Sequence, residues 1–459
     1  MSSNGGPKVA VKLFIDRKKK RVLFAESHKD FVDILFSFLT LPLGIIVHRL
    51  GKQSQIGCLD ELYKSVENLS EDHFQTKPCK TMLLRPANAA AVHCDRLKIK
   101  VDDTDQTSIY VCLNSSCSKR YFSAVRDASC KCGSITNGII KQPDRSLVAV
   151  GTEETADGII SLLRRAILSK EPLTGLYFDV AIVPNATIFS QIPGNLLMKQ
   201  EAEAEPKFKP IKIRLVQTKD DSSVLYAEVG QDFVDIFFGL LCIPVGSICK
   251  TYSQFSPNGC IDNIYKSAND GGCVKQECRS LLLSPKLPPF FGCSSNVVEV
   301  EELLPRVRIY LSHTYELNPK APRDESDTSR RIYINGSSVS EKKYVSGGSM
   351  NFMVTNDLRI VDFSLAKSLQ AIRASKIPKG KLVEKELTLD KTQVLKLLRA
   401  AMVTRDALSS ALLPPEKHVT RVAMTSTQAT SASGFGLQAK DPPQLRRSSR
   451  VRKPLQPGE

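Results

Sequence analysis

The chain has 459 residues, 42% of them hydrophobic and 24% charged, with a formal net charge of +16. That length accommodates roughly three domains of about 150 residues, or fewer large ones, so a core can form without disulfide staples. The apolar and charged fractions exclude collagenous, fibrous and wholly disordered classes.

The opening stretch, MSSNGGPKVAVKLFIDRKKK, has no apolar h-region followed by a small-residue cleavage site. We therefore expect a chain that is not secreted and works in the cytoplasm or nucleus. Val11 to Glu26 alternates apolar and polar residues around a charged run, the pattern of a β-hairpin. It leads into DFVDILFSFLTLPLGIIVHRL, Asp30 to Leu50, with fourteen uncharged residues between Asp33 and His48. As a helix these would reach about 21 Å at 1.5 Å per residue, short of a hydrocarbon core of about 30 Å. The expectation is a buried helix from Asp30 to Leu41 that ends or kinks before Pro42, then a second short turn, with no membrane span. Asp30 is placed as its N-cap and Asp33 in the first turn, at the positive end of the dipole. Leu59, Leu62, Tyr63, Val66 and Leu69 mark a short amphipathic helix. TMLLRP (Thr81 to Pro86), LKIKVDD (Leu97 to Asp103) and SIYVC (Ser108 to Cys112) read as strands, and Gly158 to Lys170 as a late helix.

Shifted by 202 residues, the Asp30 to Leu50 stretch falls without a gap on DFVDIFFGLLCIPVGSICKTY, Asp232 to Tyr252. The register continues from GCLDELYKS (Gly57 to Ser65) to GCIDNIYKS (Gly259 to Ser267), and three residues shorter from CKTMLLRP (Cys79 to Pro86) to CRSLLLSP (Cys278 to Pro285). LLRRAILSKEPLTGLYF (Leu162 to Phe178) matches LLRAAMVTRDALSSALL (Leu397 to Leu413) more weakly. The fold class this implies is α+β, with two homologous domains from an internal duplication, 8–198 and 209–414, each with mixed or antiparallel sheets and packed helices. A charged, proline-bounded linker at 199–210 joins them. The tail, 415–459, is basic and rich in Ser, Thr, Ala and Pro, a composition expected to stay disordered. Its RRSSRVRKP end, Arg446 to Pro454, suits an importin or nucleic-acid phosphates.

In this order, the VKLFIDRKKKRVLFAE hairpin, DFVDILFSFLTLPLG, GCLDELYKS, CKTMLLRP, IYVC, C-x-C-G and, in the second half, FMVTNDL (Phe352 to Leu358) resemble plant domain-of-unknown-function family 674. The resemblance covers nearly all the chain except the last 45 or so residues and implies a plant protein with tandem copies of the domain. It implies no activity. The first half lacks a counterpart of FMVTNDL.

The thirteen cysteines, an odd count in an intracellular setting, fit free thiols or metal ligands better than disulfides. Cys58, Cys79 and Cys94 recur as Cys260, Cys278 and Cys293 beside apolar neighbours, as small hydrophobes do. Cys112, Cys117, Cys130 and Cys132 differ. Their C-x4-C-x12-C-x-C spacing either closes a tetrahedral zinc site, with Gly133 relaxing the second knuckle, or leaves four loop thiols. The second half offers no such ligand set, since Cys112 becomes Ser312. The recurring acids Glu26, Asp30, Asp33 and Asp60 match Glu228, Asp232, Asp235 and Asp262, and are assigned to capping rather than catalysis. His28, His48 and His93 become Gly230, Lys250 and Gly292, and no nucleophile elbow, phosphate loop or dinucleotide fingerprint is present. SGGSM, Ser346 to Met350, reads as a turn.

The functional expectation is a non-enzymatic intracellular protein that presents two related domains to a protein partner. Two alternatives stand beside it. One is a zinc-dependent nucleic-acid-binding module that carries Lys119, Arg120 and Arg126 toward phosphate. The other is an enzyme whose reaction the sequence does not define.

Overall fold

The computed structural model describes residues 9–90, 108–141, 153–182, 208–288, 297–302, 308–333, 344–346 and 352–414, with short gaps inside 108–141, 253–273 and 308–333. The expected strand at 97–103, nearly all of the linker, the tail, Cys94, Cys293, Lys119, Arg120 and residues 347–350 lie outside these segments. The N-terminal half runs β1 (Val11–Asp16), β2 (Arg21–Ser27), α1 (Lys29–Ser37), α2 (Leu43–Arg49), α3 (Leu59–Asn68), α4 (Lys77–Leu84), β3 (Ser108–Cys112), β4 (Phe122–Ser123), β5 (Ala128–Ser129), β6 (Ile135–Lys141), α5 (Glu153–Leu168) and α6 (Pro172–Tyr177). The C-terminal half runs β7 (Ile211–Thr218), β8 (Val224–Val229), α7 (Gln231–Leu240), α8 (Val245–Thr251), α9 (Ile261–Asp270), α10 (Gln276–Leu283), β9 (Arg308–Leu311), β10 (Leu317–Asn318), β11 (Arg330–Tyr333), β12 (Phe352–Thr355), β13 (Ile360–Asp362), α11 (Leu365–Ala374), β14 (Leu382–Leu389), α12 (Lys391–Val403) and α13 (Ala407–Leu412). It is a mixed α+β fold, and every strand pair among the described residues is antiparallel.

Each half opens on a hairpin that feeds the long apolar segment. Asp16 makes the first turn, its Oδ1 accepting the backbone N–H groups of Lys18 and Lys19, with Lys20 in the left-handed region at φ 48°. The second hairpin is the centre of a five-stranded sheet of order β13–β12–β8–β7–β14. Around β1 and β2 the described residues supply no third strand.

The apolar segment is folded twice, not continuous. α1 gives way to a 3-10 turn at Phe38–Thr40, and Pro42 then stands extended at the head of α2; Pro244 does the same for α8. A helix-starting proline loses nothing, because its missing N–H would have had no intrahelical partner. No helix among the described residues is long and apolar enough to cross a membrane.

The two proline corners meet. Pro42 and Pro244 form an antiparallel bridge, Leu43 N donates to Ile243 O at 3.0 Å, and Val245 N donates to Leu41 O at 3.0 Å. Farther out the halves cap one another's helices. Cys58 N, at the start of α3, donates to Ala401 O of α12 at 2.7 Å, and Cys260 N donates to Ala166 O of α5 at 2.8 Å. Ser65 Oγ of α3 also accepts the N–H of Ile360 in β13 at 2.9 Å. The result is a single hydrophobic cluster to which both halves contribute, with Phe38, Leu39, Phe237 and Phe238 fully buried.

Two expectations are corrected. Thr81 to Leu84 is the end of helix α4, not a strand. Pro78 lies in its first turn, and Cys79, Met82 and Leu83 bury one helical stripe, so the short TMLL run was too brief to reveal its period. Asp30 and Asp232 are not caps either. The N-cap residues are His28 and Gly230, neither making a side-chain cap bond, and both aspartates fall inside the first turn, where the dipole still favours them. Asp235 is buried, and its Oδ1 accepts the N–H groups of Tyr344 and Val345 at 2.9 and 2.8 Å.

Candidate metal centre

The four-cysteine segment folds as a four-stranded sheet of order β4–β3–β6–β5. Cys112 ends β3 and pairs with Thr136 of β6 just past a register shift that follows Val111. Because β3 and β6 are antiparallel neighbours, the turn after β3 and the turn before β6 lie at the same end of the sheet. Cys112 and Cys117 come from the first turn, Cys130 and Cys132 from the second. The two cysteine pairs, with twelve residues between them in sequence, therefore meet at that end.

The second turn is tight. Gly133 N donates to Cys130 O at 2.9 Å, and Gly133 holds φ +84° with open space around its Cβ position, so conformation rather than room requires glycine there. In the first turn Cys117 N donates to Asn114 O at 3.1 Å. Across the sheet Leu113 lies over Gly138, where a Cβ would come within 2.6 Å of its side chain.

The ligand atoms of Cys112, Cys117, Cys130 and Cys132 all lie within 4.8 Å of one another. Cys112 Sγ is 3.5 Å from Cys132 Sγ and Cys117 Sγ 3.6 Å from Cys130 Sγ, and all four are free thiols. A zinc ion at about 2.3 Å from four sulfurs needs edges of about 3.8 Å, so the arrangement is close to the tetrahedron that ion demands. A thiolate donor set also suits a borderline-soft cation over magnesium or calcium. Cys112, Cys117 and Cys130 form a small buried cluster of their own, separate from the main core, so sulfur is what this end of the sheet packs around.

The electrostatics divide the four. Burial pushes the Cys112 thiol up and that of Cys130 up to about 12, whereas the backbone N–H and the hydroxyl of Ser134 pull exposed Cys132 down to about 6. Asn114 Nδ2 stands 3.8 Å from Cys132 Sγ and donates to Ser134 Oγ at 2.8 Å, so Asn114 and Ser134 orient that corner. A metal ion entering here would have to displace the protons of the buried thiols, which couples its affinity to pH. Asn114 and Ser134 escaped the sequence reading. Their only signal is closeness to the cysteines.

The other recurring residues do not converge on this site. Asp60 accepts the N–H groups of Ser54 and Gln55 at 3.0 and 3.1 Å, and Asp262 accepts that of Phe255 at 2.7 Å. Cys58 and Cys79 are buried, Cys260 and Cys278 partly so, and Cys58 Sγ donates to Thr404 O at 3.1 Å. Arg126 is exposed at the turn before β5 and pairs with Asp127 at 3.8 Å.

Fold and site together define an antiparallel α+β protein with interlocked halves and a four-thiol cluster in one of them. The chain belongs to the family described as Protein of unknown function (DUF674), which matches it at residues 5–158, 141–343 and 320–445. No curated protein and no solved structure matches it.

Proposed function

We propose that this is a non-enzymatic plant protein of the cytoplasm or nucleus that presents two homologous halves, 8–198 and 209–414, to a protein partner, and that Cys112, Cys117, Cys130 and Cys132 hold a structural zinc ion in the first half. The halves arise by internal duplication and are joined by 199–210.

The observation that carries the reading is what the recurring polar side chains do. Asp60, Asp262 and Asp235 are occupied by backbone N–H groups, which ties them to holding loops in place. The cysteines at 112–132 sit in a small sheet where three of the thiols form a buried cluster apart from the main core, the situation in which small domains depend on a metal staple. Zinc supplies that cross-link when bound. The chain's own part is to gather four sulfurs, fix the second knuckle through Gly133 and hold Cys132 through Ser134.

Affinity purification of the full chain from native tissue, read by quantitative mass spectrometry, tests the interaction. A partner enriched reproducibly over a mock bait supports it, and no enriched protein across replicates overturns it. The nucleic-acid reading rests on exposed Arg126, four residues before Cys130 in the chain. A salt-sensitive gel shift that disappears on chelation would favour it instead.

A further inference from the structure

The two hairpins differ on one face. In the C-terminal half Val216 pairs with Tyr226, and both are buried in a small outer cluster with Met353. Val361, Phe363, Ala371 and Ile372 close over it, the last two from α11. In the N-terminal half the residues 202 positions earlier are Phe14 and Phe24, which pair in the same register and stack at 4.2 Å between ring centroids. Phe24 is 54% exposed and its neighbour Leu23 60%, against 4% for Tyr226, while Phe14 is half-buried with Lys12 Nζ 4.7 Å from its ring centroid. The flanking ion pair is kept, Lys12 with Glu26 at 2.9 Å matching Arg214 with Glu228 at 2.9 Å. It is therefore the same platform, without the corresponding lid among the described residues.

The charge at the hairpin tip is reversed as well. The C-terminal turn reads Lys219, Asp220, Asp221, Ser222, Ser223, and α11, which packs on the Val216 and Tyr226 cluster, carries Lys367, paired with Asp362 at 3.7 Å, and Arg373 and no acid. The N-terminal turn reads Arg17, Lys18, Lys19, Lys20, Arg21, all exposed, with Arg21 also paired to Glu171 at 3.1 Å. A cationic helix suits the acidic C-terminal turn and is repelled by the basic N-terminal one, which argues against α11 of another copy as the occupant.

We propose that the outer face of β1 and β2 is a docking surface for an amphipathic helix of a partner protein, its apolar stripe on Phe14, Phe24 and Leu23 and an acidic flank against Arg17 to Lys20. This rests on the interaction reading above and names the chemistry of the partner. A face of stacked aromatics beside cations also has the makings of a single-strand platform, so nucleic acid is the competing occupant the experiment must separate.

The test is fluorescence anisotropy of the full chain with a labelled peptide of residues 363–375 in which Lys367 and Arg373 are replaced by Glu, beside the native peptide and a single-stranded oligonucleotide. The Glu-substituted peptide should bind at least about tenfold tighter than the native one, and lose about tenfold both in about 0.5 M salt and on Phe24→Ser. Phe24 is exposed, so that variant should keep the wild-type unfolding transition, and Lys18→Glu with Lys19→Glu supplies a second variant with the same expected loss. Equal binding of the two peptides, binding indifferent to Phe24→Ser, or displacement of the peptide by the oligonucleotide at lower concentration would each overturn the proposal. If native partners are recovered equally by the Phe24→Ser chain, this surface fails while the interaction reading stands.

Discussion

Gly57 lies against the carbonyl of Ala401 so closely that a Cβ at position 57 would stand 2.3 Å from that oxygen, and Gly259 stands in the same relation to Ile167, at 2.2 Å. Each glycine lets one half of the chain seat on a helix of the other. Neither carbonyl can retreat, because each belongs to a packed helix. Gly57→Ala and Gly259→Ala should therefore each destabilise the protein by about 2–4 kcal/mol, with Gly57 at the upper end because its φ of +50° adds backbone strain. Equilibrium urea unfolding measures this. A loss below about 0.5 kcal/mol at either site would mean that the seats are not tight.

The same reciprocity predicts that neither half folds alone. A fragment ending near residue 206 would expose the seat of α3 and the corner at Pro42, and its core would be open along the surface the other half covers. We expect each fragment to show helix in the far ultraviolet with weak near-ultraviolet signal and broad unfolding, and the two mixed to recover a cooperative transition. A sharp transition in either isolated fragment would contradict the interlock.

Zinc content is best read on the full chain, purified without a histidine tag. Elemental analysis should find one equivalent per chain, falling to none for Cys130→Ser with Cys132→Ser. Chelation should raise hydrogen exchange across 108–141 while leaving α1, α7 and the five-stranded sheet protected, since the thiol cluster is separate from the main core. Absence of metal from the wild-type chain, or equal metal in the double variant, would return the four residues to reduced thiols.

Glu61 of α3 links the halves electrostatically. Its Oε1 accepts from Lys64 at 2.8 Å and its Oε2 from Arg359 Nη2 at 3.0 Å, and these partners hold its carboxyl below the usual range, the Lys64 hydrogen bond contributing most. A depressed folded-state pKa stabilises the protein above the ordinary carboxylate range, and that contribution is lost as pH falls through the folded value. Wild type should exceed Glu61→Gln in melting temperature at pH 7 and converge with it in acid. Arg359 is largely exposed, so the gap should stay under about 1 kcal/mol and shrink with salt. A gap that is flat from pH 7 to 3 would remove the ionic explanation.

Asp33 and Asp235 occupy matching positions and should respond differently. Asp235→Ala strips two buried N–H groups of their shared side-chain acceptor and should cost about 2–4 kcal/mol. Asp33 is partly exposed and pairs with Lys29 at 3.5 Å, so Asp33→Ala should stay within about 0.5 kcal/mol. Similar losses at the two sites in thermal unfolding would show that the loop at Tyr344 and Val345 does not depend on Asp235.

The sequence by itself determined the periodic elements: the hairpins, the broken apolar segment and the amphipathic stripe of α3 repeat in residues whose spacing follows from burying one face. It also determined which cysteines stand apart, because the paired C-x4-C and C-x-C spacing has no counterpart in the second half, where Cys112 becomes Ser312. The strand assigned to TMLLRP failed because the three consecutive apolar residues Met82, Leu83 and Leu84 fit either period until the neighbouring turn, with Pro78 and Cys79, is packed. Only the tertiary structure decided how the halves meet, since the same repeated spacing serves two domains side by side or two that seat on each other's helices. Gly57 and Gly259 settle that through carbonyls far away in the chain. The closure of the four thiols was likewise decided by the antiparallel pairing of β3 with β6, and the exposure of Phe24 by the absence, among the described residues, of the cover that Tyr226 receives. Spacing along a chain fixes which face a side chain takes within its own element, while the choice of neighbour depends on contacts between segments that local periodicity does not encode.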